Sequence, residues 1–414
     1  MNKKFKKFFK VTSYKDILEQ IAAFPHVEKE TVPLENCLDR VLAEDIESDI
    51  DLPDFKRSTV DGYAVQSNST LGASRSVPAC LNVVGTVAMS MPPDISVKPG
   101  NAARIPTGGM LPDGCDSVVM TEHTQLLDQA TIEVLKSCIP LQNVTEIGED
   151  VGKGRQVLTQ GKRIKPPEMG LFAALGISMV PVFKQPVVAI ISSGDEIVPV
   201  NTEPHLAQLR DVNGYLLMGM VRKAGGIPLY MGIVRDDFEE IFQRCRKALL
   251  QAEVVVLSGG CSIGTGDFSL EVIKAFPHSQ LFAYGVSINP GKPTILGKIG
   301  TKAFWGLPGR TAAAMLTFFV MVRPLIEKMS GLSLEYRDTL HRLPAILCQN
   351  IGSARGRIDF ICVKITHDSD QTYAHPILGK SKSIHTMVET DGIIKVNIDS
   401  EGLDSGTEVE VIML

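Results

Sequence analysis

The sequence predicts a multidomain α/β plus β protein, built around a doubly wound parallel sheet with β-rich segments on both sides. Three observations lead to this prediction. The chain has 414 residues, which is too long for one ordinary hydrophobic core. Between 185 and 331, short apolar runs alternate with helical patterns, as in a parallel sheet with helices on both faces. Before and after this region, short strand patterns are broken by Pro and Gly.

The composition is that of a globular protein and excludes several function classes. Hydrophobic residues make up 44% of the chain, and the net charge of −5 argues against nucleic acid as the partner, because such surfaces are normally basic. The eight cysteines are scattered without a C-x-x-C pair, which favours a reducing, cytoplasmic location. No apolar run of about 18 residues is present, so no transmembrane segment is predicted. The lysine-rich start, "MNKKFKKFFK", has no following apolar run and is not a secretory signal. It is expected to be a solvated tail, with a membrane-surface segment as the alternative.

The amino-terminal part predicts two interleaved domains. Residues 13–24 predict a helix capped by Ser13, and "PPEMGLFAALGI" predicts a helix with Pro in its first turn. Between them, "CLNVVGTVAM", "DSVVMTEHT" and "ATIEVLKSCI" predict short strands. We therefore expect a mixed helical linker domain, 11–44 and 146–184, with a β-rich domain, 45–145, inserted into it.

The remaining chain predicts the doubly wound domain, 185–331, and a small carboxyl-terminal β-barrel-like domain, 332–414. The first strand, at Val187–Ile191, is apolar throughout and is expected to be buried on both faces. Further strands are predicted at "IPLYMGIV", "EVVVLSGG", "QLFAYGVSI" and "KAFWGLPG", separated by helices, and a last helix ends at Gly331. Runs such as "DGIIKVN" and "TEVEVIML" predict the strands of the barrel.

Polar residues are concentrated at the ends of strands in the doubly wound domain, where ligands of open parallel sheets bind. "SSGDE" (192–196) contains Glu196, and the glycine-rich "SGGCSIGTGDFS" (258–269) leads to Asp267. Glycines allow backbone amides to approach an anion closely. Glu196 and Asp267 could together hold Mg²⁺, which prefers one or two carboxylates plus substrate oxygens. A helix-capping role for Asp267 is an equally good interpretation.

Two rigid Pro-Gly turns carry one cation each. They read "NPGK" (289–292), with Lys292, and "LPGR" (307–310), with Arg310. Fixed cations are suited to a tetrahedral oxyanion or a phosphate, because they are positioned before the ligand arrives. The alternative is that both are solvated surface cations beside turns.

Three loops in the amino-terminal half expose small polar residues. They are "RSTVDGYAV", "RIPTGGMLPDGCDSVVMTE" and "IGEDVGKG", which contain Asp61, Thr107 and Asp150. Functional sites commonly lie in such loops. Each residue alone is also compatible with an ordinary turn.

The order and spacing of these segments, together with "RDVNGYLL", "GIVRDD" and "GLPG", resemble the molybdopterin molybdenumtransferase family, which is similar to the carboxyl-terminal domain of gephyrin. The resemblance implies a four-part subunit and a homodimer, in which the doubly wound domain of one subunit faces the partner's inserted β domain. It also implies a reaction in which Mg²⁺ and molybdate (or tungstate) act on adenylylated molybdopterin, releasing AMP and molybdenum cofactor. The molybdopterin adenylyltransferase and the acceptor molybdoenzymes are the protein partners that it implies.

The family's functional positions carry over to this chain in two groups. Those tied to activity are Asp61, Thr107, Asp150, Glu196, Asp236 and Asp267, with Glu196 and Asp267 as the metal-ligand candidates. Those expected to bind the pterin, phosphate or oxyanion are Ser258, Gly259, Gly260, Ser262, Gly264, Asn289, Lys292, Pro308, Arg310, Arg357 and Ser383, the last with Ser381 as its alternative.

The sequence departs from the family pattern at both Pro-Gly turns. The family's Lys-Pro-Gly-Lys reads Asn-Pro-Gly-Lys here, so Asn289 replaces a lysine. The family's Leu-Pro-Gly-Asn/His-Pro reads "LPGRT", so Arg310 is an added cation. We hypothesise that Arg310 supplies the charge that Asn289 lacks. Because an Arg fork is not equivalent to an ammonium group, oxyanion affinity or selectivity would then change.

Three other functions are compatible with parts of the sequence. A non-catalytic paralogue or carrier would bind molybdopterin without inserting metal, but would not need the acids of the amino-terminal half. A scaffold protein would be expected to contain long partner-binding insertions, which are not visible here. A nucleotide-pyrophosphate hydrolase sharing the doubly wound module would not need these flanking domains.

Overall fold

The computed structural model describes residues 11–260, 268–334, 342–368, 371–377 and 384–414. The chain forms two compact units. One comprises Met1–Glu44, Gln160–Pro166 and Met179–Leu414, and the other comprises Asp45–Thr159 and Pro167–Ser178. The β-rich unit thus begins at 45 but also includes the helix that follows Pro166. The finer four-part division stays a prediction. No helix in the described ranges is long and apolar enough to cross a membrane.

The first unit contains the doubly wound domain, a six-stranded sheet with apolar side chains on both faces. Its strands lie in the order Ile227–Val234, Val187–Ser193, Val254–Ser258, Lys302–Leu307, Ile295–Ile299 and Ser279–Tyr284. Along the central strands, Val188 and Ile190 pack into one core cluster, whereas Ala189 and Ile191 pack into the other. This alternation explains the uninterrupted apolar sequence and confirms the doubly wound fold.

One strand of this sheet was not predicted and runs against the others. Ile295–Ile299 pairs antiparallel with both Lys302–Leu307 and Ser279–Tyr284. Only a tight turn at Gly300 (φ +60°) separates it from the next strand. Because a parallel connection needs a long crossover, this short link can only form a hairpin.

The helices of this domain cover both faces of the sheet at the predicted places. The last helical stretch is interrupted, because Thr311–Thr317 and Arg323–Met329 are α-helical but Phe318–Val322 forms a π-helical turn. Pro324 accounts for the interruption, since it lacks the N–H that would bond the Val320 carbonyl and its ring crowds that carbonyl. The other helices are Asn213–Lys223, Phe238–Gln251 and Phe268–Ala275.

The amino-terminal helix, Tyr14–Ile21, packs on the same unit. The Ser13 hydroxyl accepts a hydrogen bond from the Asp16 N–H (3.1 Å), so the predicted cap is confirmed. Its buried residues, Ile17 and Ile21, join the core cluster of the doubly wound domain. Beyond it, Lys29–Pro33 pairs antiparallel with Met179–Phe183, and short elements lie at Leu34–Asn36, Ile197–Val198 and Leu209–Arg210.

The carboxyl-terminal segment forms a closed five-stranded barrel, as predicted. Its strands follow the order Ile358–Asp368, Gln371–Pro376, Arg342–Leu347, Glu408–Met413 and Gly392–Val396, which pairs again with the first. A short parallel pairing joins Ile288–Asn289 to Ile358 and Asp359. The turn that carries Lys292 is therefore connected by backbone hydrogen bonds to the barrel. Ile351–Gly352 pairs with Gly402–Leu403, and a short helix spans Ile384–Val388.

The second unit is a six-stranded, mostly antiparallel sheet. Its strands lie in the order Ser117–Met120, Gly62–Val65, Asn101–Ile105, Ala79–Thr86, Thr131–Val134 and Thr124–Leu126. Gly62 is required at its position, because a Cβ there would collide with the Val119 carbonyl. Two short antiparallel pairs join Ile46–Glu47 to Gln156–Leu158 and Arg57–Ser58 to Val144–Thr145. The helical elements are the 3₁₀ turns Ser67–Thr70 and Thr121–His123 and the α-helix Pro166–Ala174.

Candidate functional site

A cavity of about 1120 Å³ lies at the carboxyl edge of the parallel strands. Loops at the ends of four strands form one side, and the barrel forms the other. The strand ends meet here because parallel strands finish at the same edge of a sheet. The lining residues that the sequence predicted are Glu196, Asp236, Ser258, Gly259, Gly260, Asn289, Lys292, Pro308 and Arg310.

Carboxylates gather at the ends of two neighbouring strands. Glu196 follows Val187–Ser193, and Asp236 follows Ile227–Val234. The Asp236 N–H lies 3.3 Å from the Asp195 carboxylate. Partial burial, followed by the negative charges of Asp195 and Glu196, raises the pKa of Asp236 above its ordinary value. This crowding of negative charge favours a bound cation or a proton.

The glycine-rich loop is held directly against the first strand. Gly259 has φ +103°, and a Cβ there would collide with the Ser193 carbonyl. The Asn213 side-chain amide donates to the Ser258 hydroxyl (2.9 Å) and to the Gly309 carbonyl (2.8 Å). Asn213 therefore ties the glycine loop to the second Pro-Gly turn, although the sequence analysis did not select it.

A buried acid, Asp211, was also missed by the sequence analysis. Its carboxylate accepts hydrogen bonds from the Ser192 hydroxyl (2.8 Å), the Tyr230 hydroxyl (2.7 Å) and the Gly214 N–H (2.9 Å). Burial, together with the bond to Asp211, raises the pKa of Tyr230. Asp211 thus fixes the start of the helix Asn213–Lys223 on the cavity edge. An acid three residues before a glycine at a helix start, in "RDVNGY", was the available signal.

The turn with Lys292 is sterically fixed. The Asn289–Pro290 peptide bond is cis, and Gly291 has φ +119°. A Cβ on Gly291 would lie 2.5 Å from the Thr317 hydroxyl and 2.8 Å from Ile288 Cδ1. The Val286 N–H donates to the Lys292 carbonyl (2.9 Å). The Lys292 side chain is exposed and lines the cavity.

The second Pro-Gly turn leads directly into the long helical stretch. Pro308 is buried, whereas Arg310 is exposed and its carbonyl accepts the first helical hydrogen bond from Ala314 (2.9 Å). Within the described part of the chain, neither Arg310 nor Lys292 makes a side-chain ion pair or hydrogen bond. The cavity therefore contains two available cations from adjacent turns.

The barrel contributes a mostly apolar wall that the sequence did not predict. Its members come from the strand Ile358–Asp368, the segment after Gln371–Pro376, and the short helix near 387. Burial raises the pKa of the Cys362 thiol, which is half-buried in this wall. The wall residues are Phe360, Ile361, Cys362, Ile377, Met387 and Thr390.

Arg357 does not line the cavity. Its guanidinium forms an ion pair with Asp359, with Nε 2.8 Å from Oδ1, and Asp359 is only 2% exposed. The Ser353 hydroxyl donates to the same carboxylate (3.1 Å). Asp359 lies opposite Asn289 in the short parallel pairing, so Arg357 contacts the strand that pairs with the start of the Lys292 turn.

Asp61, Thr107 and Asp150 belong to the β-rich unit. Asp61 accepts hydrogen bonds from the Thr107 N–H (2.7 Å) and hydroxyl (2.9 Å), which together hold the pKa of Asp61 below its ordinary value. Asp150 is exposed, and its N–H donates to the Leu52 carbonyl (3.1 Å). The structure thus brings Asp61 and Thr107 together and places Asp150 on a separate exposed loop.

Four predicted site residues lie outside the described residues. They are Ser262, Gly264, Asp267 and Ser383, together with the alternative Ser381. Their assigned roles stay predictions.

The chain matches three family descriptions in the order in which its domains occur. They are "MoeA N-terminal region (domain I and II)" over residues 12–176, "Probable molybdopterin binding domain" over 189–328, and "MoeA C-terminal region (domain IV)" over 344–414. It is also 36% identical over 344 residues to the molybdopterin molybdenumtransferase of Haemophilus influenzae, covering 83% of this chain and 82% of that protein. This chain belongs to the MoeA family. The resemblance inferred from the sequence is confirmed.

Further relatives extend the likeness of this MoeA-family protein over almost its whole length. The molybdopterin molybdenumtransferase of Bacillus subtilis is 30% identical over 393 residues, which cover 94% of this chain and 90% of that protein. A molybdopterin biosynthesis MoeA protein from Pyrococcus horikoshii is 29% identical, with a TM-score of 0.85 over 98% of this chain and all of that one. Another structure of a molybdopterin biosynthesis MoeA protein from Pyrococcus is 36% identical, with a TM-score of 0.82 over 98% of this chain and 99% of that one.

Proposed function

We propose that this MoeA-family protein is a molybdopterin molybdenumtransferase. It places molybdate (or tungstate) on the dithiolene of adenylylated molybdopterin and releases AMP and molybdenum cofactor. The observation that carries this proposal is the division of one cavity into an acidic part, at Glu196 and Asp236, and a cationic part, at Lys292 and Arg310. The relatives named molybdopterin molybdenumtransferase support it.

The cationic part suits a tetrahedral oxyanion. Lys292 provides an ammonium group on a rigid turn, and Arg310 provides a planar fork with two parallel donors. The backbone of each turn is fixed by contacts within the protein, so only the two side chains need to order when the anion binds. Asn289 adds a neutral amide where the family pattern has a lysine.

The acidic part suits Mg²⁺. Glu196 and Asp236 supply hard carboxylate oxygens, and a bound cation would offset the burial and the neighbouring negative charges that together raise the pKa of Asp236. Among the described residues no cluster of three or more His, Cys, Asp or Glu could hold a metal, so Mg²⁺ would take its remaining ligands from substrate oxygens and water. Bound there, Mg²⁺ would neutralise phosphate charge on the adenylylated substrate. Asp267 is a further candidate ligand.

The remaining lining has two tasks in this proposal. Gly259 and Gly260 line the cavity without side chains, so phosphate oxygens can approach their backbone closely. The apolar barrel wall excludes water from the anion, which strengthens its attraction to the two cations.

We also propose that the protein acts as a cytoplasmic homodimer in which Asp61, Thr107 and Asp150 of one subunit serve the cavity of the other. The seven described cysteines are all free, as in a reducing compartment.

Subunit complementation tests the shared site: Asp61→Asn and Glu196→Gln proteins, each inactive alone, should regain up to about one quarter of parent activity after mixing and subunit exchange. No recovery despite demonstrated exchange would contradict the shared site. Exchange of substrate and product with the molybdopterin adenylyltransferase and acceptor molybdoenzymes is part of the same proposal.

The deciding experiment is an anaerobic insertion assay. Purified protein, adenylylated molybdopterin and Mg²⁺ are mixed with molybdate or tungstate in separate reactions, and AMP release and activation of an apo-molybdoenzyme are followed. We expect both signals in the parent and their loss in Glu196→Gln, with omission of Mg²⁺ as a further control. Tight pterin binding without AMP release or metal transfer would instead show a carrier.

A further inference from the structure

Tyr14, on the amino-terminal helix, lies behind the cavity and contacts both of its sides. Its hydroxyl donates to the Val320 carbonyl (3.1 Å) in the π-helical turn. Its ring meets that of Phe360 edge-on, with centroids 5.6 Å apart, and the Lys395 ammonium lies 5.8 Å from the Tyr14 ring centre. Phe360 and Lys395 are paired neighbours on two barrel strands. Tyr14 therefore joins the long helix to the barrel.

The Val320 carbonyl is available because of the sequence of the helix itself. In a regular α-helix this carbonyl would accept from the N–H of residue 324, but residue 324 is Pro. The π-helical turn bonds the Arg323 N–H to the Phe318 carbonyl, and Pro324 offers the carbonyl of the buried Val320 no α-helical donor. A buried carbonyl needs a partner, and the Tyr14 hydroxyl supplies it.

The two elements joined by Tyr14 carry residues of the cavity wall. Leu316 lies one helical turn before Val320, and it lines the cavity together with Phe360. Leu316 is 2% exposed and Phe360 is 3% exposed. The spacing between these side chains thus depends on a residue that does not itself line the cavity. Burial raises the pKa of Tyr14 to about 12, so its hydroxyl remains a donor at physiological pH.

We propose that Tyr14 is a positioning residue that holds the barrel wall of the cavity against the long helix. This inference rests on the proposed function for its effect on substrate binding. Because Tyr14 touches no group assigned to the chemistry, its loss should weaken binding by the apolar wall and leave the reaction step intact. The expected signature is a rise in KM with an unchanged kcat.

The test compares Tyr14→Phe, which removes only the hydroxyl, with Tyr14→Leu, which also removes the ring. Phe24→Leu is the matched control, since Phe24 is 1% exposed in the same core cluster but does not line the cavity. The first measurement needs no substrate: the labelling rate of Cys362 by a maleimide, followed by peptide mass spectrometry. Opening the wall should hydrate this thiol, lower its pKa and speed its modification.

We expect the maleimide to label Cys362 roughly fivefold faster in Tyr14→Phe than in the parent, as loss of one hydrogen bond implies. Labelling should be faster still in Tyr14→Leu. Phe24→Leu should label at the parent rate, with Cys348 as the internal reference thiol. In the insertion assay, KM should rise roughly fivefold in Tyr14→Phe while kcat stays within about twofold.

Unchanged Cys362 labelling in both Tyr14 variants would overturn the proposal, as would equal acceleration in Phe24→Leu. Faster labelling with an unchanged KM, or with a fallen kcat, would overturn the positioning role. Failure of the proposed function is distinguishable, because the parent would then release no AMP while the labelling measurement still decides whether Tyr14 holds the wall.

Discussion

Thr107 donates two hydrogen bonds to the Asp61 carboxylate, from its N–H at 2.7 Å and its hydroxyl at 2.9 Å. The two residues are 46 positions apart in sequence, and both are exposed. The pair joins two of the loops that the sequence analysis selected separately. The hydrogen bonds favour the charged form of Asp61, which is why its pKa falls below the ordinary value.

Replacing Thr107 by Val should raise the pKa of Asp61 towards 3.8 without fully restoring it, because the backbone N–H still donates. The measurement is an NMR titration of the Asp61 carboxyl carbon. Thr121→Val is the matched control, since the Thr121 hydroxyl donates to the Asp61 backbone carbonyl and not to its carboxylate. An equal shift in both variants would show that the hydroxyl bond to the carboxylate is not the cause.

The same pair predicts a pH dependence of stability. A carboxyl group whose pKa is lowered by folding contributes stability above its unfolded pKa and loses it as the pH falls through the folded pKa. The difference in the free energy of unfolding between the parent and Asp61→Asn should therefore be present at pH 7 and shrink below pH 3.8. Urea denaturation at several pH values measures it, and a difference independent of pH would contradict the prediction.

Arg310→Ala should weaken molybdate binding by about tenfold or more, because a charge-assisted hydrogen bond contributes roughly 1.5–3 kcal/mol. Arg310→Lys should recover only part of this affinity, since it keeps the charge but loses the fork. Isothermal titration with molybdate and with tungstate measures both variants. Arg355→Ala is the control, because Arg355 is an exposed cation paired with Glu401. Unchanged affinity in Arg310→Ala would remove Arg310 from the oxyanion pocket.

Asp211→Ala should lower the free energy of unfolding by roughly 3 kcal/mol or more, since it leaves two buried donors and the half-buried Tyr230 hydroxyl without their acceptor. Ser192→Ala, which removes only one of these donors, should cost about 1 kcal/mol. Urea denaturation of both variants gives the comparison. A cost for Asp211→Ala no larger than that for Ser192→Ala would mean that Asp211 does not organise this edge.

Gly291→Ala should destabilise the protein by about 3 kcal/mol, through overpacking and a positive φ together. Gly300→Ala separates the two effects, because Gly300 also has a positive φ but has nothing within 4 Å of its Cβ position. It should cost only about 1–2 kcal/mol. The combination of Gly291→Ala with Thr317→Ala should regain part of the loss, because the colliding hydroxyl is removed. Equal costs for the two glycines would contradict a steric role of Thr317.

Local sequence patterns were sufficient for most of the secondary structure. The strand Val187–Ser193, the cap at Ser13 and the closed barrel could be predicted because apolar periodicity and capping chemistry act over a few residues. The order of motifs was enough to predict the family. The antiparallel strand Ile295–Ile299 was missed because its pattern does not distinguish a hairpin from a crossover.

Tertiary structure alone decided which residues meet. The sequence shows that Arg357 is a cation but not which group it faces. Only the folded barrel places its guanidinium beside the buried carboxylate of Asp359. Asn213, Asp211 and the wall at Phe360 reach the cavity through contacts between distant segments, and such contacts have no local signature. The Tyr14–Val320 hydrogen bond depends on both the local sequence and the tertiary structure. Pro324 removes the α-helical donor of the Val320 carbonyl, but only packing between residues 306 positions apart brings the Tyr14 hydroxyl to it.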